Sequence, residues 1–247
     1  MELIRNQFFI GFFINFILIY IFCKIPLMTK GGWISAGILG TILWGFLSWQ
    51  GWMSVVIYLI FGSLVTKIGF KFKKEQGIAE KRGGRRGPEN VWGSAATGLF
   101  LAIMTKLNPA NVMMFKIGFA ASFSAKLADT FGSEIGKRFG KDTYLITSLK
   151  KVYRGTEGGV SLEGTLASLL GSIFMAFIML WLSIISTKYH FIVVIVSGFL
   201  ATLSESIIGA KFQNKYKLSN ELVNAIQTSI ASVFAIFALF LYAYFLN

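Results

Sequence analysis

Apolar stretches of nearly 20 residues recur along the whole chain and are separated by short polar segments. A helix of about 20 apolar residues crosses roughly 30 Å of bilayer hydrocarbon. The pattern therefore predicts an all-α, polytopic membrane protein with about eight transmembrane helices. The expected spans are residues 7–23, 33–49, 52–70, 91–105, 111–128, 164–186, 191–208 and 222–246.

The fourth and fifth predicted spans are weaker than the others, because they are short or rich in Gly, Ala and Ser. Small residues are tolerated in a membrane helix where they let a neighbouring helix approach closely. Eight spans are therefore expected, with seven as the alternative. The largest loop has about 35 residues, too few for a core of its own, so residues 1–247 are expected to form a single integral membrane domain.

The distribution of basic residues predicts an orientation. If the N-terminus is outside and eight helices follow, the inside loops are 24–32, 71–90, 129–163 and 209–221. Together with the helix ends Lys67 and Lys126, these loops hold 20 of the 24 Lys and Arg residues. Basic residues collect in cytoplasmic loops, so the polar loops and any chemistry are expected on the cytoplasmic side. Arg5, Lys106, Lys116 and Lys188 remain outside this set.

Composition narrows the class of partner. The chain is 55% hydrophobic and only 14% charged, yet its net charge is +13. In a membrane protein this charge favours anionic lipid or phosphate-bearing small molecules, and nucleic acid is not expected as a partner. The one histidine, His190, is predicted at a helix start on the far side, which argues against a histidine base. Neither these numbers nor the motifs predict an oligomeric state.

Two carboxylates follow the fifth predicted span. Asp129 comes directly after the apolar segment, and Glu134 lies about 140° away from it around a continuing helix. A carboxylate at a membrane edge needs a basic group, backbone donors or a divalent ion as its partner. Either Asp129 forms a structural pair with Lys126, or Asp129 and Glu134 bind Mg²⁺ with Glu163 or Glu205 completing its oxygen ligands.

Glycines accompany these acids. Gly132, Gly136 and Gly140 repeat every four residues and leave room beside the helix for a ligand or for a second backbone. Glu205 is a third isolated acid, near the inner end of the seventh predicted span. It is interpreted either as a buried partner of Lys126 or as a metal ligand.

A glycine run at 155–159 is the candidate nucleotide site, because backbone amides in such a run can point together at phosphate oxygens. An ordinary flexible turn is the alternative interpretation. The expected nucleotide-binding residues are Gly155, Thr156, Gly158, Gly159, Lys150 and Lys151. Arg154 joins Lys126, Asp129 and Glu134 as a candidate catalytic residue.

A second glycine and basic run occupies residues 81–90. Arg85 and Arg86 are flanked by glycines, and their planar guanidinium groups match phosphate in a bidentate manner. With Asn90 they are predicted to bind a lipid phosphate, with anchoring to anionic lipid as the alternative. Anchoring is the interpretation for Lys71, Lys73 and Lys74. Carboxylates, glycines and arginines together indicate magnesium-assisted phosphate chemistry.

At these residues the chain resembles the integral membrane family of phytyl-phosphate kinases, which includes the proteins called transmembrane protein 19. The resemblance covers 85–210 and rests on R-R-G-P-E-N-V-W-G-S at 85–94, A-D-T-F-G-S-E-I-G at 128–136, R-G-T-E-G-G-V-S at 154–161 and E-S-I-I-G-A at 205–210.

The resemblance implies an Mg²⁺-dependent kinase in the membrane. Such an enzyme would move the γ-phosphate of a nucleoside triphosphate, with CTP expected, to a prenyl monophosphate such as phytyl phosphate. The product would be the diphosphate used in tocopherol biosynthesis. Two alternatives stay open: a CTP-dependent cytidylyltransferase acting on a lipid phosphate, and a membrane transporter.

Overall fold

The computed structural model describes residues 2–246, with the side chains of residues 5–245. Within that range the fold is a bundle of helices. Its α-helices are α1 (Glu2–Phe22), α2 (Lys30–Lys67), α3 (Phe70–Glu75), α4 (Pro88–Leu107), α5 (Val112–Phe139), α6 (Leu162–Trp181), α7 (Lys188–Ile208), α8 (Asn214–Tyr216) and α9 (Asn220–Leu246).

Five helical segments within the described residues are long and apolar enough to cross a membrane. They comprise α1, α2, α6, α9 and the continuous stretch from α7 through α8. The prediction of an all-α, multi-pass membrane protein is therefore confirmed.

Helix α2 contains both the second and the third predicted span. Ser48 interrupts it with a non-helical φ of 56° and ψ of −165°. Gly32 lies against the backbone of Arg86 and Gly62 lies against its guanidinium group, whereas a straight helix between these glycines would be about 45 Å long. The chain therefore doubles back at Ser48, and α2 consists of two antiparallel arms, 30–47 and 49–67.

Helix α5 lies at the centre of the bundle and packs against α2, α4, α6, α7 and α9. Every residue from Ile117 to Ala128 is buried. Protein surrounds this helix, so polar groups near its C-terminal end find partners on neighbouring helices. This explains why α5 has a weak hydropathy signal although it lies inside the bundle.

The predicted inside loops meet at one end of the bundle. Met28 forms a β-bridge with Arg86, Ile78 packs against Gly155, and Gly158 packs against the end of α7. The connection between α5 and α6 also forms a small antiparallel sheet, absent from the all-helical prediction, because backbone outside the bundle still needs hydrogen-bond partners. Its strands, in the order β2-β1-β3, are β1 (Thr143–Leu145), β2 (Lys151–Val152) and β3 (Gly159–Val160).

Candidate active site

Helix α6 fills the space beside the glycines of α5. A Cβ atom at Gly132 would meet the Ser168 side chain and would lie 3.1 Å from the Gly164 carbonyl oxygen. A Cβ atom at Gly136 would lie 3.5 Å from the Gly164 Cα atom. Of the two possibilities left open by the sequence, the second backbone is therefore the one that occupies this space.

Lys126 is buried on the face of α5 that points toward α7 and α9. Its ammonium group forms an ion pair with Asp129, one turn later on the same helix. It also donates a hydrogen bond of 2.8 Å to the Asn224 side-chain oxygen on α9. Glu205 on α7 and Tyr58 on α2 interact with it electrostatically. Four helices thus contribute to one charged site at the end of the bundle where the loops meet.

Asn224 was missed by the sequence interpretation. It lies in the first turns of α9, and the sequence separation from Lys126 is 98 residues. The available signal was an amide near the start of the last predicted span. Amides in membrane helices often bond to a neighbouring helix, although this does not identify the partner.

Glu134 lies in a different environment from Asp129. It is fully buried and forms an ion pair with Lys73 of α3, which also donates to the Thr66 carbonyl oxygen at 2.9 Å. Lys137 lies 3.7 Å from the second Glu134 oxygen and 3.1 Å from Glu80. The assignment of Lys73 to lipid anchoring is therefore wrong, because α3 folds back and buries this ammonium group against α5.

The glycine run forms an ordered turn packed on the end of α7. Gly155 and Gly158 adopt left-handed φ angles of 80° and 73°, and the Gly159 amide donates to the Thr156 carbonyl oxygen at 2.9 Å. A Cβ atom at Gly158 would lie 2.6 Å from the Ser206 carbonyl oxygen. Gly158 is thus required for the close approach of the loop to α7.

This packing places Glu157 beside the charged site. Glu157 is a second residue that the sequence interpretation missed. A Cβ atom at Gly209 would lie 3.8 Å from a Glu157 carboxylate oxygen. Partial burial raises the pKa of Glu157, Lys137 opposes this, and the carboxylates of Asp129 and Glu80 raise the pKa further. The site therefore holds more than one carboxylate beside its lysines. The signal available in the sequence was an acid inside a glycine run.

The end of α7 has an irregular backbone beside this loop. Residues Gly209–Gln213 form a π-helical turn directly after α7. Such turns occur frequently at functional sites. Here the turn places Gly209 and Ala210 against the glycine run, a few residues after Glu205.

Several predicted site residues lie elsewhere. Glu163, at the start of α6, accepts a hydrogen bond from the Lys141 amide at 3.3 Å. Lys151 pairs with Asp142 at 2.5 Å on the surface, and Lys150 is exposed. Across residues 5–245, no group of three or more His, Cys, Asp or Glu side chains is arranged to hold a metal ion. The four predicted metal ligands, Asp129, Glu134, Glu163 and Glu205, are thus not assembled as one cluster.

Arg85 and Arg86 point in different directions. Arg86 is half-buried, donates a hydrogen bond of 3.3 Å to the Tyr58 hydroxyl group, and lies over the Tyr58 ring at 5.5 Å. Arg85 is exposed and donates to the Arg82 carbonyl oxygen at 3.1 Å. Since Tyr58 also neighbours Lys126, Arg86 is the arginine that faces the charged site.

Asn90 has a structural position at the start of α4. Its side-chain oxygen accepts a hydrogen bond from the Gly87 amide at 2.9 Å, and its side-chain nitrogen donates to Glu221 of α9 at 3.2 Å. Both bonds fix the loop that carries Arg86. Asn90 therefore positions this loop relative to α9.

Arg154 is half-buried and directly precedes the glycine run. It follows β2, so the small sheet determines where its backbone lies. Of the four candidate catalytic residues, Lys126 and Asp129 form a direct pair, while Glu134 belongs to the pair with Lys73.

These features define the class: a multi-pass helical membrane protein with a charged site at one end of its bundle. The chain matches the family model described as integral membrane protein DUF92 over residues 13–232 and belongs to that family. The family resemblance inferred from the four motifs is confirmed. No solved structure gives a significant match.

Three similar proteins cover most of the chain. An uncharacterized membrane protein of Synechocystis sp. is 46% identical over 85% of this chain and 82% of its own length. The Arabidopsis thaliana protein VTE6, chloroplastic, is 45% identical over 85% of this chain and 66% of its own length. An uncharacterized membrane protein of Methanocaldococcus jannaschii is 30% identical over 90% of this chain and 92% of its own length.

Proposed function

We propose that this protein is a membrane kinase that transfers the γ-phosphate of a nucleoside triphosphate to a prenyl monophosphate such as phytyl phosphate. CTP is the expected donor, and the site is expected to face the cytoplasm because the basic loops surround it. The observation that carries the proposal is the convergence of Lys126, Asp129, Glu157 and Glu205 from three separate segments. The family resemblance supplies the reaction class.

The chain's own residues suit a reaction between two anions. An oxygen of the acceptor phosphate would attack the γ-phosphorus, the bond to the oxygen bridging the β- and γ-phosphorus atoms would break, and the nucleoside diphosphate would leave. Lys126 offers a buried ammonium group whose direction Asp129 and Asn224 fix. A preoriented cation in a site that excludes water stabilises charge developing on the transferring group.

No protein base is required in this reaction. A phosphate monoester is largely ionised near pH 7, since its second pKa is about 6. His190 lies at the start of α7, at the end of the bundle opposite the loops. Positioning of the two phosphates therefore accounts for the chemistry that the protein must supply.

The carboxylates fit a role in binding Mg²⁺ together with the nucleotide. Mg²⁺ is usually held by one or two carboxylates, with substrate phosphates and water completing its ligands. Asp129 with Glu157 or Glu205 supplies such a partial set. When bound, the ion would neutralise charge on the β- and γ-phosphate oxygens.

Arg86 is the proposed contact for the acceptor phosphate. A prenyl chain in the bilayer presents its phosphate at the headgroup level, where the loop at 81–87 meets the second arm of α2. The guanidinium group beside Tyr58 is partly shielded from water, which strengthens its attraction for phosphate. Arg85 has no such shielding.

The deciding experiment follows radiolabel into lipid. Purified protein in detergent would receive Mg²⁺, phytyl phosphate and CTP labelled at either the α- or the γ-phosphate. Label from the γ-position in a lipid diphosphate is the expected result, and Asp129→Asn supplies the negative control. Label from the α-position would instead mean cytidylyl transfer. If neither label reaches lipid with any nucleoside triphosphate, the kinase proposal is wrong.

A further inference from the structure

A polar cavity of about 250 Å³ lies at the end of the bundle opposite the charged site. Four segments surround it: the break in α2, the last turn of α4, the first turns of α5 and the residues after α6. Its polar lining consists of Ser48, Gln50, Thr105, Lys106, Lys116 and Ser183. The proposed kinase reaction uses none of these residues.

Two lysines, Lys106 and Lys116, line this cavity, and none of the acidic side chains that the structure describes pairs with them. Among residues 5–245, neither Lys106 nor Lys116 forms an ion pair or a hydrogen bond through its side chain. The acidic side chains that the structure describes, from Glu75 to Glu221, belong to the loops and helix ends at the other end of the bundle. Like charges on one cavity repel each other, and an anion between them would turn repulsion into attraction.

The backbone at the rim of the cavity is unusual. Ser48 and Ser183 have left-handed φ angles of 56° and 57°. Residues other than glycine seldom adopt such angles, and in folded proteins they cluster at binding and switch sites. These two turns bring the break in α2 and the segment after α6 to the cavity, so both strained positions contribute to its shape.

We propose that this cavity binds the phosphate group of an anionic phospholipid in the leaflet opposite the loops. The ends of membrane helices lie at the headgroup level, where lipid phosphates are concentrated. The cavity is smaller than the roughly 300 Å³ at which pockets for whole small ligands begin. A headgroup held by its phosphate, with its acyl chains outside, fits this size.

Side chains beside the cavity favour a lipid over free phosphate. Trp49 and Leu107 are 48% and 70% exposed next to the lining residues Ser48 and Lys106. Tryptophan is enriched at membrane interfaces, where its ring contacts both headgroups and acyl chains. An inorganic phosphate ion would gain nothing from these apolar neighbours. The acyl chains of a bound phospholipid would cover them.

The test is a lipid-binding measurement on the full chain in nanodiscs made of equal parts phosphatidylcholine and phosphatidylglycerol. Native mass spectrometry would count the lipids retained after release, and a titration would give the affinity for phosphatidylglycerol. The double variant K106Q/K116Q should bind phosphatidylglycerol about 30-fold more weakly, the value for two lysines attracting an anionic headgroup. K188Q is the matched control, because Lys188 carries the same charge on the same side outside the cavity.

The outcomes separate this proposal from the proposed kinase reaction. Retention of one phosphatidylglycerol by the wild-type protein and by K188Q, but not by K106Q/K116Q, supports the proposal. Equal retention by all three proteins overturns it. Displacement of the lipid by millimolar inorganic phosphate, without preference for phosphatidylglycerol over phosphatidylcholine, would assign the cavity to free phosphate and also overturn it. A Tm in detergent equal to that of the wild-type protein would show that the double variant is folded, whether or not the protein proves to be a kinase.

Discussion

The buried ion pair between Lys73 and Glu134 yields a stability prediction that separates structural from reactive acids on α5. Both side chains are fully buried, and the pair connects α3 to the central helix. K73M removes the cation and leaves the Glu134 carboxylate in a dry environment. E134Q leaves the Lys73 ammonium group with neutral acceptors only, the Thr66 carbonyl oxygen at 2.9 Å and the new amide oxygen.

The expected cost follows from the contacts that remain. Removing one partner of a buried ion pair destabilises a protein by about 3–5 kcal/mol. For K73M the lower figure applies, because Lys137 lies 3.7 Å from Glu134 and compensates part of its charge. For E134Q the upper figure applies, since no second carboxylate contacts Lys73 in the described structure. The double variant K73M/E134Q removes both charges and should lie within about 2 kcal/mol of the wild-type protein.

Thermal unfolding in detergent, followed by tryptophan fluorescence, measures this cycle. At roughly 2–4 °C per kcal/mol for a chain of this length, each single variant should lower Tm by about 6 °C or more. The double variant should recover most of the loss and should also recover turnover of radiolabelled substrate. A loss below about 1 kcal/mol for either single variant would refute the burial argument. A stable but inactive double variant would return Glu134 to the reactive site.

Three further predictions concern the site itself. Asp129→Asn should keep the protein folded while turnover at limiting Mg²⁺ falls by at least about 100-fold, and near-normal turnover would make Asp129 structural. Arg86→Ala should raise the KM for phytyl phosphate by about 10- to 100-fold, as expected for a lost charged hydrogen bond. Arg85→Ala, its matched control, should change KM by less than about threefold, and equal effects would contradict the inward direction of Arg86. Because burial and neighbouring carboxylates raise the pKa of Glu157, the folded state should lose stability as pH rises from the ordinary glutamate pKa of 4.5 toward the raised value. Glu157→Gln should therefore raise Tm at pH 7 without Mg²⁺ and leave it unchanged at pH 4, and a lower Tm at pH 7 would contradict this sign.

The sequence predicted the helices well because the requirement for bilayer-length apolar segments is local. The boundary between the second and third spans fell at 49–52, beside the observed break at Ser48. The low hydropathy of the fifth predicted span was also informative. A central helix such as α5 contacts protein on all sides, so its hydropathy falls while its burial rises.

The small sheet and the packing of α3 against α5 were harder to predict. Residues 143–160 carry no long alternating pattern, and the strands have only two or three residues each. Lys73 occurs in a run of basic residues whose usual role is contact with lipid headgroups. Its burial depends on α3 folding back toward Glu134, which is 61 residues away.

For the candidate site as well, the sequence predicted the local arrangement but not the partners that come from distant segments. Asp129 and Glu134 are five residues apart, so they lie about 140° apart around α5, and this angle was available from the sequence. Their partners were not available, because Asn224 and Lys73 come from distant segments of the chain. On one face of α5 an acid completes a buried structural pair with α3. On the other face an acid fixes a lysine toward α7 and α9, where Glu205 and the loop bearing Glu157 place further carboxyl groups near the pair. A central helix that presents one acid to each face can keep the bundle closed while the other acid binds a cation and substrate, so the two carboxylates should respond differently to the same change from acid to amide.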